Sequence, residues 1–230
     1  MTTTTTMIMT MTDERRALLS LLAWLSPAFP TGGFAWSSGI EWAVESGDVG
    51  DAASLAAWLA DVLRHGAGRS DAVLLRHAHR AAGDPAALCA IAELARATAP
   101  SRERLAESIG QGNAFAAAAR AWGSAVLSGL GDVPYAVAVG ALAGAHGIAE
   151  EDATLGALQA FAANLISAAV RLIPLGQSAG LAVLAGLAPV IVATAEDSRG
   201  AGLDDLGGAC FRADLTAMRH ETQYTRLFRS

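Results

Sequence analysis

Between Ser26 and Trp42 the chain reads Ser-Pro-Ala-Phe-Pro-Thr-Gly-Gly-Phe-Ala-Trp-Ser-Ser-Gly-Ile-Glu-Trp, and this stretch limits the fold more than any other. Pro27 and Pro30 each remove a backbone donor and fix φ, while Gly32, Gly33 and Gly39 open conformations that residues with a Cβ avoid. No helix runs through it. The same stretch carries Phe29, Phe34, Trp36, Ile40 and Trp42 in a chain that is only 6% aromatic. An irregular loop so loaded with rings is expected to pack under the domain as a plug, shaped by Pro30, Gly32, Gly33, Phe34, Trp36, Gly39 and Glu41. The other reading is a loop offered to a partner.

Around this loop the signals are helical. Leu18, Leu21, Leu22 and Leu25 form a stripe that ends at Ser26-Pro27. Asp51 caps a helix with Leu55, Trp58, Leu59, Val62 and Leu63 on one face, which Gly66 and Gly68 are expected to stop. Asp84-Pro85 and Pro100-Ser101 open two more. The turns from Arg102 to Gln111 read as a solvated, charged face. Residues 151–173 are the strongest core helix, and the uncharged run 178–195 reads as a buried central helix. No segment shows the period of two expected of a strand. The fold class is therefore all-α, a single-domain bundle of roughly eight to ten helices with short connections. Its expected parts are a disordered leader (1–12), a helical core (13–195), a linker (196–210) and a C-terminal helix and tail (211–230).

Composition narrows the chemistry. At 230 residues one sizeable core suffices. All sixteen basic residues are arginine, which removes Schiff-base, P-loop and Ser-Lys chemistry. A net charge of -6 without a basic block argues against nucleic acid as a partner. Cys89 and Cys210 stand apart, as expected of reduced cysteines in the cytoplasm. Nucleotide-binding and nucleophile-elbow motifs are missing, and His220-Glu221-Thr-Gln-Tyr224 has tyrosine where a zincin places its second histidine. His77 and His79 point to nearly opposite sides of a helix. No catalytic, metal-ligating or cofactor-binding set is expected. Two alternatives stay open: a metal-dependent hydrolase using His77, His79 or Glu107, and a membrane hairpin over 151–195. The tail places Arg219, His220, Tyr224, Arg226, Leu227, Phe228 and Arg229 together, the residue types that anchor interfaces.

Residues 26–42, Arg-Leu-Ile-Pro-Leu-Gly-Gln at 171–177, and Arg-His-Glu-Thr-Gln-Tyr-Thr-Arg-Leu-Phe-Arg-Ser at 219–230 closely resemble the signatures of the urease accessory protein F (UreF) family, in order along the chain. The resemblance implies a non-enzymatic, all-α, homodimeric chaperone in the insertion of nickel into apo-urease. It implies binding to the accessory protein called D or H, and recruitment and regulation of the accessory GTPase G, without membrane association. On this reading the partner-binding residues are Arg171, Pro174 and Gln177 toward the GTPase, and Arg219, His220, Glu221, Tyr224, Arg226, Leu227, Phe228 and Arg229 toward D or H. Arg171 is expected to be a solvated charge that serves association more than stability.

Overall fold

In the computed structural model the backbone is described for residues 2–230 and the side chains for residues 13–230. The expected disordered leader, 1–12, falls outside the fully described residues. Among the described residues there is no strand, and eleven α-helices follow one another: α1 (Thr2–Trp24), α2 (Ile40–Glu45), α3 (Ala52–His65), α4 (Ala67–Arg80), α5 (Pro85–Ala97), α6 (Arg102–Ala118), α7 (Tyr135–Ala145), α8 (Glu150–Leu172), α9 (Gln177–Gly186), α10 (Ala188–Ser198) and α11 (Phe211–His220). Short 3-10 turns lie at Gly33–Ala35, Ala119–Trp122, Ala125–Leu127 and Leu203–Asp205.

The helix starts follow local chemistry. Asp51 accepts from the Ser54 backbone N–H at 2.8 Å, and Ser54 returns a bond to the Asp51 N–H, closing a reciprocal cap on α3. Asp84 caps α5 ahead of Pro85, and Ser101 caps α6 through Arg104 N–H at 3.1 Å. Gly66 stops α3 as expected, taking its C-cap position, whereas Gly68 departs from the expectation. α4 begins at Ala67 and takes Gly68 into its first turn, because a side chain there would press on Leu63.

Two apolar clusters share the interior. One gathers Trp24, Leu75, Leu88, Phe115 and Leu142 around α4, α5 and α7; the other gathers Leu55, Leu59, Leu63, Leu158 and Leu165 around α3 and α8. α4 touches both. It meets α7 so closely that any side chain at Gly140 would run into the Leu75 carbonyl. Each fully buried leucine contributes about 1.5–3 kcal/mol through its removal from water.

α8 is the axle, touching α2, α4, α7, α9 and α10 among others. Among the described residues it is the one single helix long and apolar enough to cross a membrane, with 44% of its most apolar stretch buried in the protein. Its first turn, however, holds Glu150, Glu151 and Asp152. The run 178–195 is not one buried helix. α9 and α10 meet at a 41° bend at Leu187, just before Pro189, and Leu181 and Val192 are exposed. The stretch 196–210 starts in the last turns of α10 and is then fastened, Ala209 N–H to the His65 carbonyl at 2.8 Å and Arg69 to the Asp205 carbonyl at 2.7 Å.

Arg76 is 1% exposed on α4. It donates to Glu150 at 2.8 Å, Glu151 at 2.9 Å, Ser198 at 2.9 Å and the Ala195 carbonyl at 2.7 Å, so one guanidinium ties α4, α8 and α10 together. Burial alone would raise the Glu150 carboxyl, but the bonds from Arg80 and Arg76 outweigh it and hold the group down at about 2. A carboxyl depressed on folding stabilises above its unfolded value of 4.5, and that contribution is lost as the pH falls toward about 2. Glu150→Gln should therefore cost about 2–3 kcal/mol at neutral pH, with the difference from wild type shrinking between about pH 4.5 and pH 2 in denaturant titrations.

Candidate functional site

The loop after α1 divides its aromatic residues between two duties. Phe29 turns inward and joins Trp24, Phe115 and Trp122, with ring centroids 5.4 Å from Phe115 and 5.9 Å from Trp122. Trp36 and Ile40 are buried as well. Phe34 is 72% exposed, so the plug expected from the sequence is corrected at that residue. Gly32 and Gly39 take φ of +73° and +82°, which side chains rarely adopt. At Gly39 a Cβ would also lie 2.7 Å from the Ala217 backbone nitrogen. This close approach seats α11 against the start of α2.

α11 delivers His220 into the interior, where it has no exposed surface. Its Nδ1 lies 2.6 Å from Glu103 of α6, and its Nε2 lies 3.0 Å from Glu41 of α2. Both carboxylates go on to hold the tail. Glu41 accepts the backbone N–H groups of Leu227 at 2.6 Å and Phe228 at 2.9 Å, and Glu103 accepts from Arg226 at 2.7 Å. Glu221 accepts the Arg102 backbone N–H at 2.9 Å, placing an anion at the start of α6.

Beyond Phe228 the tail runs beside the loop. Arg229 N–H donates to the Ala35 carbonyl and Ser37 N–H to the Ser230 carbonyl, each at 2.9 Å, and the Ser37 hydroxyl bonds the same carbonyl. The Ser230 hydroxyl donates to Glu107 at 3.0 Å and accepts the Ser38 N–H at 3.1 Å. Ser38, at φ +53°, also bonds Glu107 and Arg104 through its hydroxyl. Arg104 pairs with Glu107 at 2.6 Å. Arg171 donates to the Phe34 carbonyl at 2.8 Å and stacks 4.2 Å above the Phe228 ring, while Arg229 lies 4.7 Å above Trp36.

The three signature segments thus meet on one side of the molecule. From the middle one, Arg171 reaches the loop and the tail; Pro174 and Gln177 are exposed where α8 hands over to α9. In the tail His220 and Phe228 are buried, whereas Arg219, Tyr224, Arg226, Leu227 and Arg229 face outward. Glu103 and Glu107, expected on a solvated face, are 8% and 3% exposed. A cue lay in Gly112 and Phe115, buried on α6, and in buried Ala119 just past its end, since steps of four back from Ala119 pass Phe115 and arrive at Glu107 and Glu103. Ser37 and Ser38 carried no cue, because their partners are remote in sequence, whereas Arg104 pairs locally with Glu107.

A cavity of about 820 Å³ opens behind the loop, between α1 and α8, with Asp71, Arg104, Glu107, Gln111 and Asn164 at its polar wall. Desolvation pushes the Asp71 carboxyl up to about 6, with Glu107 adding to the shift and Arg104 opposing it. That side chain is still 42% exposed, so solvent screening limits the consequence for stability. Among the described residues no three His, Cys, Asp or Glu side chains are grouped to hold a metal ion. His77 and His79 bond the Ala201 and Ile148 carbonyls at 3.0 and 2.7 Å, on different segments, and Glu107 serves the tail.

A UreF family profile matches residues 49–188. Curated proteins named "Urease accessory protein UreF" align over nearly the whole chain. One from Methylobacterium sp. (strain 4-46) is 54% identical over 220 residues, 92% of this chain and 88% of the relative. One from Bradyrhizobium sp. (strain ORS 278) is 54% identical over 224 residues, 94% of this chain and 93% of the relative. One from Rhizobium leguminosarum bv. viciae is 52% identical over 223 residues, covering 96% of this chain and all of the relative.

Because Arg171 bonds the loop and stacks on the tail, it has a structural share that the sequence reading did not give it. Arg171→Ala should lower stability by about 1–2 kcal/mol and speed proteolysis within 222–230, and Arg171→Lys should recover only part of both. Chemical denaturation and timed protease digestion check this; a variant as stable and as resistant as wild type would contradict it.

Proposed function

The chain belongs to the UreF family of urease accessory proteins, and from that premise we propose that it is a non-enzymatic scaffold in the GTP-dependent insertion of nickel into apo-urease. In this reading it works in the cytoplasm as a homodimer, without membrane or nucleic acid. The accessory protein called D or H docks on the face made by α11 and the tail. The accessory GTPase G docks near Arg171, Pro174 and Gln177, and the scaffold controls it without contributing chemistry.

The observation that carries this reading is the outward face of the pinned tail. Phe211, Leu215 and Met218 repeat at helical spacing on α11 and are 70%, 56% and 46% exposed. Tyr224 is fully exposed and Leu227 is 64% exposed beside them in sequence. An exposed apolar stripe is costly to leave in water unless another surface covers it. Arg212, Arg219, Arg226 and Arg229 accompany it, against only Asp214 and Glu221 in the same segment of a chain whose net charge is -6. The partner that fits has an apolar centre and an acidic border. The inward half of the tail, His220, Phe228 and Ser230, fixes the shape of this face and leaves recognition to the outward half.

Changing outward residues separates docking from folding, which deletion of the tail would not. Leu215→Asp combined with Met218→Asp should cut capture of the D or H protein by about tenfold or more. The helical circular-dichroism spectrum should stay unchanged. Undiminished capture by the double variant would refute this docking face.

A further inference from the structure

His220 is bonded through both ring nitrogens to carboxylates, Nδ1 to Glu103 at 2.6 Å and Nε2 to Glu41 at 3.0 Å, with no solvent contact. An ionised carboxylate only accepts, and a neutral imidazole has one N–H and one lone pair. Both bonds are therefore made together only when each ring nitrogen carries a hydrogen. Removing one hydrogen sets a ring lone pair against a carboxylate oxygen in a site that water does not reach, which costs more than the missing bond alone.

We propose that His220 is the positioning residue of a protonation-dependent latch, which fixes the tail surface when the imidazole is charged and loosens it when the imidazole is neutral. The coupling is geometric. The two carboxylates that would face the neutral ring are those holding Leu227, Phe228 and Arg226, so strain at His220 passes directly to the tail backbone. The charged groups around it come from each neighbouring element. α2 supplies Glu41, α6 supplies Glu103 with Arg104 and Glu107 farther along, the tail supplies Arg226, and α11 itself supplies Arg219 and Glu221, the last paired with Arg102. Two carboxylates and one guanidinium contact the clamp directly, so the local charge balances only with an imidazolium at its centre. As a control of docking, the latch rests on the reading that α11 and the tail form the partner face.

The test is the hydrogen-exchange protection of the Leu227, Phe228 and Arg229 amides in the free full-length chain between about pH 5 and pH 8, the range over which histidine ordinarily changes charge. Protection factors remove the intrinsic pH dependence of exchange. Wild type should lose about tenfold or more in protection across this range, the scale of leaving one buried polar group unsatisfied. Glu103→Gln should reverse the trend. Its amide can donate to Nδ1 while its oxygen still accepts from Arg226, so a neutral His220 is fully bonded and the tail stays protected at about pH 8. His220→Gln, neutral at every pH, should give a flat profile and keeps the question decidable if the glutamine variant at 103 folds poorly. A flat wild-type profile, or wild-type and Glu103→Gln profiles that run parallel, would overturn the latch. Capture of the D or H protein, measured on the same samples, is a separate readout. Capture that ignores a tail shown to open and close counts against the docking face and leaves the latch standing.

Discussion

A fully buried histidine between two carboxylates makes the C-terminal chain part of the fold. His220 alone would gain little by leaving water, and either glutamate alone would be a costly buried charge. Together they satisfy one another and have oxygens left over, which the tail backbone and Arg226 occupy. The end of the chain is thereby anchored by the polar demands of the interior, with only Phe228 adding appreciable apolar burial. The outward Tyr224 and Leu227 side chains gain a fixed arrangement from this, while the outward Arg226 and Arg229 are themselves tied to Glu103 and Trp36.

The bundle exists to place the three walls of that clamp. α2 begins where Gly32 and Gly39 let the loop turn, and α11 can approach because Gly39 has no side chain. α6 starts at the Ser101 cap with Glu221 at its amino end, which sets Glu103 in its first turn opposite His220. On the far side Arg76 joins α4, α8 and α10, so the helix that carries Arg171 toward the loop is fixed at its other end. Two buried ionic centres, far apart in sequence, thus hold a bundle whose small side chains allow close approach but little interlocking.

Where the information was local, the sequence disclosed it. The caps at Asp51, Asp84 and Ser101, the proline start of α5 and the apolar register of α8 follow from residues within one or two turns of each other. The site was legible only in outline. The motifs at 26–42, 171–177 and 219–230 were visible, but their meeting in space was not, because Glu41 and His220 are separated by 179 positions. Glu103 read as a surface charge for the same reason, since His220 and Arg226 reach it from the other end of the chain; Glu107 has its ion-pair partner nearby in Arg104, but its burial depends on Ser230. Nothing within a turn or two of Arg76 marks it for burial, which depends on Glu150 and Glu151 from α8. The bend at Leu187 was marked by Pro189, yet composition alone could not show that an uncharged run would leave Leu181 and Val192 in water.

The central claim is that the tail is an ordered part of the free protein, held by Glu41, Glu103 and Glu107. The most direct measurement is the set of backbone ¹⁵N order parameters for residues 222–230 in the isolated full-length chain at about pH 6.5. Values near 0.85, matching those of α8, are the predicted result. Values below about 0.6 along the tail, beside a rigid core, would contradict it.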